Sequence, residues 1–189
     1  TSQVRPWHFR MMNDRPRNQA YDAALRRAVT PGSHVLEIGT GSGLLALMAA
    51  RAGAALVTTC EMVEIVAEAA ADIVARNGYG ERVKVIAKKS TELQIGVDLP
   101  RPADVLLSEI LGDRLLSEDV LRSTADARRR LTKPDAILIP RGVSAIARLV
   151  GGAFFAESAS VGQVEGFDLT PFNRFTPSTI SISMESGQF

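Results

Sequence analysis

The run Val35-Leu36-Glu37-Ile38-Gly39-Thr40-Gly41-Ser42-Gly43-Leu44-Leu45 constrains the fold more than any other stretch. Aliphatic residues read as a short buried strand, glycines follow at alternating positions, and an Ala/Leu-rich helix then runs to about Arg51. Glycine permits positive φ and lets a ligand rest against bare backbone. The rest of the chain repeats the alternation. Pro16 opens a helix over 15–28, with Ala20/Tyr21, Ala24/Leu25 and Ala28 at three- and four-residue spacing. Strands are predicted at 34–38, 57–60, 83–87, 104–107, 136–139 and 143–150, and helices at 63–76 and over an arginine-rich stretch ending near Leu131. Strands alternating with helices imply an α/β fold whose mostly parallel sheet is covered on both faces.

Past Gly151-Gly152 the helices stop and Gly, Ser, Phe and Pro take over, which predicts a boundary near residue 150. The organisation expected is N-terminal helices over 1–30, the sheet domain over 31–150, and a further β-rich piece over 151–189. Thr1 is not an initiator, and residues 179–184 alternate like a strand close to the last residue, so a piece of a longer protein is expected. A net charge of +1 supplies no strong field towards nucleic acid or a membrane. One cysteine, Cys60, excludes an internal disulfide framework, and His8 and His34 leave little for a histidine-bound metal. No apolar run reaches the roughly 18 residues of a spanning helix, and no signal peptide opens the chain. A reducing, cytoplasmic setting is expected.

A dinucleotide site would want G-x-G-x-x-G, but Leu44 stands where the third glycine belongs. Glu37 would also repel a pyrophosphate. A carboxylate two residues before Gly39 suits a ligand carrying an ammonium and a sulfonium, which is S-adenosyl-L-methionine. Glu61 ends the next strand about 20 residues on, where an acid accepts hydrogen bonds from ribose hydroxyls. The alternative is a tight strand–helix turn with a solvated acid nearby; the ordered succession of all these parts favours the nucleoside site.

The fourth strand runs into Ser108-Glu109-Ile110-Leu111-Gly112-Asp113-Arg114-Leu115-Leu116-Ser117-Glu118. This loop overhangs the carboxyl edge of the sheet, where open α/β folds bind ligands. Both glutamates can face one small volume. A cationic acceptor approaching a sulfonium is repelled, and at an effective dielectric of about 20 a charge pair at ~4 Å is worth about 4 kcal/mol. One carboxylate cancels that repulsion, and a second offers a planar guanidinium a partner on another edge. Two glutamates would draw its charge to one side and leave one nitrogen lone pair aimed at the methyl carbon. Spacing alone equally allows Glu118 to cap the arginine-rich helix. The basic run Arg122, Arg128, Arg129, Arg130 and Lys133 reads as a solvated helix face.

At these residues the chain resembles the protein arginine methyltransferases. The likeness rests on His8-Phe9-Arg10-Met11-Met12-Asn13-Asp14 with Arg17-Asn18-Gln19-Ala20-Tyr21, on residues 35–45, on Cys60-Glu61, on the double-glutamate segment 108–118, and on Ile137-Leu138-Ile139-Pro140. It is strongest to the type III, monomethylating branch: Arg17-Asn18 replaces the Arg-Thr of commoner branches, and Asn77-Gly78-Tyr79 and Lys89-Ser90-Thr91-Glu92 are similar to it. The resemblance implies a class I S-adenosylmethionine-dependent methyltransferase fold, Rossmann-like, followed by the start of a C-terminal β-barrel. It implies methyl transfer to arginine in a protein or peptide, with S-adenosyl-L-homocysteine as product. Arg17 would pair with the cofactor carboxylate, and His8 and Met11 would line a lid. Glu37 and Gly39, with Gly41 and Gly43 in the same turn, would hold the methionine end. Glu61 would hold the ribose, and Ser90 and Thr91 would lie along the adenine. Glu109 and Glu118 would clamp the guanidinium.

The sequence departs from the family in two places. The family's later Thr-His-Trp loop has no counterpart, since no histidine follows His34, and residues 151–189 match only the opening strands of its barrel. A homodimer is implied only where the full barrel and its arm-binding surface are present. Two other functions stay open on the sequence: a methyltransferase of small amines or guanidino compounds, and a non-catalytic nucleoside-binding module.

Overall fold

The computed structural model describes residues 7–111, 119–144 and 160–176. The chain divides into two units, Thr1–Ser144 and Ala145–Phe189. In the first unit α1 (Trp7–Met12) and α2 (Arg15–Ala28) precede β1 (His34–Ile38), α3 (Leu44–Arg51), β2 (Leu56–Cys60), α4 (Glu64–Arg76) and β3 (Val83–Ile86). A 3-10 turn (Ser90–Glu92), β4 (Ala103–Ser108), α5 (Val120–Arg130) and β5 (Thr132–Ile139) complete it. Asp14 caps α2 by accepting from the Arg17 backbone N–H at 3.0 Å, and Pro16 sits in the first turn, where its missing N–H costs nothing.

The described strands of this unit pair in parallel, in the order β3-β2-β1-β4-β5. The chain therefore winds outward in both directions from β1, and the direction reverses between β1 and β4. A crevice opens above the carboxyl ends of the strands at such a reversal. Register decides what meets there: Ile38 lies level with Cys60 on one side and with Ser108 on the other. The residues just beyond those three positions are Gly39, Glu61 and Glu109.

The sheet buries both faces. Val35, Val57, Val105 and Leu107 pack with Leu25, Leu45, Ala49 and Val74 on one side; Leu36, Ile38 and Leu106 pack with Leu93, Leu99, Ala127 and Leu131 on the other. At the amino edge the His34 ring bridges the Arg101 carbonyl and the Thr58 hydroxyl, at 3.0 and 2.9 Å. Asp104 there accepts from the His34 backbone N–H and pairs with Arg101 and Lys133, all within 2.6–2.8 Å.

β5 starts at Thr132, earlier than the expected Ala136, and runs through Pro134. The strand is at the sheet edge, where proline's missing donor breaks no ladder, and the register shifts there between Ala103 and Val105. The strand expected over 143–150 and the alternating segment 179–184 fall essentially outside the described residues; 143 and 144 carry no strand. In the second unit β6 (Gln163–Val164) and β7 (Phe167–Asp168) form a hairpin. Its turn residues Glu165 and Gly166 both have positive φ, as a two-residue hairpin favours. A 3-10 turn (Thr170–Phe175) follows, closed by Asn173, whose amide exchanges two hydrogen bonds with the Val161 backbone.

Candidate active site

The glycine turn is tied down from its neighbour strand. The N–H groups of Gly39 and Thr40 both donate to the Cys60 carbonyl, at 3.0 and 3.1 Å. Gly39 has φ +83°, and a Cβ there would stand 2.6 Å from the Ile110 methyl Cγ2. Glycine is required at 39 for both reasons: left-handed backbone and close approach. Glu61 closes the turn from outside, one carboxylate oxygen accepting from Gly41 N–H at 3.2 Å and the other from Val63 N–H at 3.0 Å. The second bond holds the backbone of Val63, the residue that precedes α4, a structural duty that the sequence does not reveal.

Glu37 is 1% exposed. Thr59, its partner across the β1–β2 ladder, donates its hydroxyl to Glu37 at 2.6 Å, and the Thr40 and Thr59 hydroxyls are 2.5 Å apart. With Thr59 donating to an ionised Glu37, Thr40 donates to Thr59. Burial pushes the Glu37 carboxyl up to about 8; the bond from Thr59 and the charge of Arg17 oppose the rise, and Glu61 and Glu109 add to it. A buried acid held this way favours a cation placed beside it.

Arg17, in the first turn of α2, reaches across to the tip of β4. Its Nη2 lies 2.9 Å from Glu109 Oε2, and both side chains are mostly buried. Its Nη1 donates to Asn18 Oδ1 at 2.8 Å, and Asn18 Nδ2 donates to the Met12 carbonyl, also at 2.8 Å. The amide at 18 thus accepts from Arg17 while tying α1 to α2, which a threonine hydroxyl is too short to do. Tyr21 stacks beneath the guanidinium, 5.1 Å from ring centre to Cζ, and donates its hydroxyl to the Ser108 carbonyl at 3.2 Å. Burial, with Glu109 next, pushes that phenol up to about 12. One donor is left over: Arg17 Nε is buried without a partner. A buried, unpaired guanidinium nitrogen is costly, and it fits an incoming carboxylate.

Most of these groups line one cavity of about 600 Å³, with Asn18, Tyr21 and Thr59 standing behind its lining. His8, Met11, Arg17, Glu37, Gly39, Gly41, Glu61, Ser90, Thr91 and Glu109 all line it. Gly43 is not among the lining residues. It heads α3 with φ +79° and faces Val74 and Ala70 of α4. Glu118 lies outside the described residues. Sequence reasoning missed Thr40, Thr59, Tyr21 and Asn18, which shape the site through hydrogen bonds. It also missed Lys88, Lys89 and Asp119 on the cavity wall. Pairing Glu37 with Thr59 needed the strand register, which no local pattern carries. Among the described residues no group of three His, Cys, Asp or Glu side chains can hold a metal ion, and no helix is long and apolar enough to cross a membrane.

The family model of ribosomal protein L11 methyltransferase (PrmA) matches residues 21–145. The chain belongs to that methyltransferase family. The likeness to arginine methyltransferases is borne out by curated relatives. An arginine N(omega)-methyltransferase of Streptomyces achromogenes subsp. streptozoticus is 44% identical over 88% of this chain and 46% of its own length. Protein arginine N-methyltransferase 7 of Drosophila grimshawi is 39% identical over 84% of this chain and 23% of its own. This methyltransferase chain therefore spans less than half the length of these relatives. Among solved structures, the Trypanosoma brucei PRMT1 enzyme–prozyme complex with AdoHcy matches with a TM-score of 0.76 and 27% identity, over 92% of this chain and 55% of that one. Protein arginine methyltransferase 10 of Arabidopsis thaliana matches with a TM-score of 0.62 and 34% identity, over 68% of this chain and 36% of that one. The five-stranded parallel sheet is the core of a Rossmann-like methyltransferase fold.

Proposed function

We propose that this methyltransferase transfers one methyl group from S-adenosyl-L-methionine to a guanidinium nitrogen of arginine in a protein or peptide. The observation that carries the reading is the ion pair between Glu109 and Arg17. The carboxylate at the β4 tip already binds a guanidinium, and it does so in the cavity that holds Glu37 and the glycine turn. Bound in this cavity, the cofactor supplies an electrophilic methyl on a sulfonium. Arg17 would offer its unpaired Nε to the cofactor carboxylate, and Glu37 would take the ammonium. Glu61 keeps acceptor capacity for ribose hydroxyls beyond its two backbone bonds. Ser90 and Thr91 would lie along the adenine, and His8 and Met11 would cover the methionine end. Glu109 would then turn to the substrate, with Glu118 as the second arm of the clamp. A single methyl follows from the resemblance to the monomethylating branch.

A cytoplasmic setting suits the one buried thiol, Cys60. A near-neutral chain suits a protein substrate better than nucleic acid. A homodimer belongs to the form that carries the whole barrel. One observation favours a second acceptor: the Streptomyces relative is named for arginine rather than for protein arginine. Incubating the full protein with methyl-labelled cofactor, an arginine-glycine peptide and free arginine separates the two. We expect monomethylarginine in the peptide; label confined to free arginine would transfer the reading to the small acceptor, and label in neither would remove it.

A further inference from the structure

The basic stretch of α5 is not uniformly solvated. Arg130, in its last turn, reaches the 3-10 turn Ser90–Glu92 and satisfies three carbonyls there. Nη1 donates to Leu93 O at 2.9 Å, and Nη2 donates to Thr91 O at 3.1 Å and to Ser90 O at 3.3 Å. Asp126, one helical turn earlier, grips the same guanidinium from behind through Nε at 2.8 Å and through Nη2. The fork is thus loaded on both sides, with its charge balanced by Asp126 and its remaining donors on the turn. A lysine ammonium presents three donors from one point and cannot span three carbonyls while keeping a two-point hold on a carboxylate.

The turn so held is a wall of the cavity: Ser90 and Thr91 line it, and Ser90 is 7% exposed. Its position along the sheet is secured independently by Leu93, which is fully buried among Ala127, Leu131 and Leu99. Apolar packing thereby fixes where the turn sits, and the Arg130 fork fixes how its peptide groups are set. A short 3-10 turn has poor hydrogen-bond geometry and few bonds of its own, so an outside clamp decides its orientation.

We propose that Arg130, backed by Asp126, is a positioning residue for recognition of the purine base. It sets the Ser90–Thr91 backbone that reads the base without touching the ligand. This rests on the cofactor reading of the cavity given above. The test compares three ligands on the full protein by calorimetry: S-adenosylhomocysteine, its hypoxanthine analogue, and S-ribosylhomocysteine, which has no base. In the wild type the adenine ligand should bind tightest. In Arg130→Lys, we expect its affinity to fall about tenfold and the preference over hypoxanthine to shrink towards one, as loss of a charge-assisted anchor predicts. Affinity for the base-free ligand should stay within about twofold. Asp126→Asn, which leaves the fork in place but loosens it, should show the same pattern more weakly.

Retention of the adenine preference in both variants would overturn the proposal. So would an equal loss for all three ligands together with a lowered Tm, because Arg130 would then be a staple of the fold. A wild-type protein that bound none of the three would remove the cofactor reading itself, whereas a wild type that binds them and variants that discriminate as well as it does would remove only the role of Arg130.

Discussion

The two edges of one sheet hold acids in opposite ways. At the amino edge, Asp104 of β4 is surrounded by Arg101, Lys133 and the His34 N–H. Partial burial alone would raise its carboxyl, but those three partners outweigh it and hold the group well below the usual carboxylate range. At the carboxyl edge, Glu37 of the adjacent strand is more deeply buried, has one neutral hydroxyl as partner, and is pushed up to about 8. Glu61 and Glu109 share its cavity, and Arg17 is the cation paired with Glu109 there. The first edge is electrostatically finished within the protein. The second leaves Glu37 without a cationic partner of its own, which a ligand can bring, and its unpaired Arg17 Nε calls for one more carboxylate. An ammonium, a sulfonium and a carboxylate on one ligand would complete it.

That contrast can be broken most directly at Glu109. Glu109→Gln should lower methyl transfer by about 100-fold or more, the scale of losing a transition-state electrostatic contact. Affinity for S-adenosylhomocysteine should hold or improve, because Arg17 is released towards the cofactor carboxylate. Rate assays with labelled cofactor and calorimetry on the same samples check both halves, and an undiminished rate would end the clamp mechanism.

A paired substitution sharpens the comparison between the edges. Glu37→Gln should weaken S-adenosylhomocysteine by roughly 10- to 100-fold through loss of a buried charge-assisted bond. The ligand-free Tm at pH 8 should hold or rise, since a buried charge is no longer forced on the site. Asp104→Asn should do the reverse, leaving affinity intact and costing about 1–2 kcal/mol, a modest figure because Arg101 and Lys133 are both partly solvated and screened.

The two acids also predict opposite pH trends for the ligand-free protein. The Glu37 carboxyl rises from 4.5 to about 8 on folding, so the native state binds more protons across that window. Its contribution to stability is full below the lower value and is lost as pH climbs through the upper one. The Asp104 carboxyl is lowered from 3.8, so its contribution is present above that value and is lost as pH falls below it. Urea titrations across pH, repeated on the Glu37→Gln and Asp104→Asn variants, should remove one limb each. The smallest effect is a proton count. Binding an ammonium beside a mostly protonated Glu37 at pH 7 should release a fraction approaching one proton, read from the buffer dependence of the binding enthalpy.

Much of this is legible in the chain itself. The periodicities locate α2, β1, β2, α4 and β4 to within a residue or so, because helices and fully buried strands carry strong local patterns. The strand tips Gly39, Glu61 and Glu109 are legible for the same reason. Contacts that join distant segments are not. Arg17 meets Glu109 only once α2 folds over β4, and Thr59 becomes the partner of Glu37 only through the β1–β2 register. Gly43 reads as the third glycine of a ligand turn, whereas in the fold it lies beside Val74 and Ala70 and is not among the cavity's lining residues. Arg130 reads as part of a solvated run, since a sequence cannot show which of several arginines finds three carbonyls to hold.

On the proposed function, the bare carbon at position 39 would tie donor to acceptor selectivity. Ile110 fills the space that any side chain at 39 would need, so the segment after β4, proposed to choose the acceptor, leans directly on the glycine turn, proposed to cradle the methyl donor. An engineer who enlarges Ile110 to admit a smaller acceptor, or trims it to admit a bulkier one, also reshapes the cradle. Variation at the two loops must therefore be selected jointly, and libraries that randomise one alone should return mostly inactive clones.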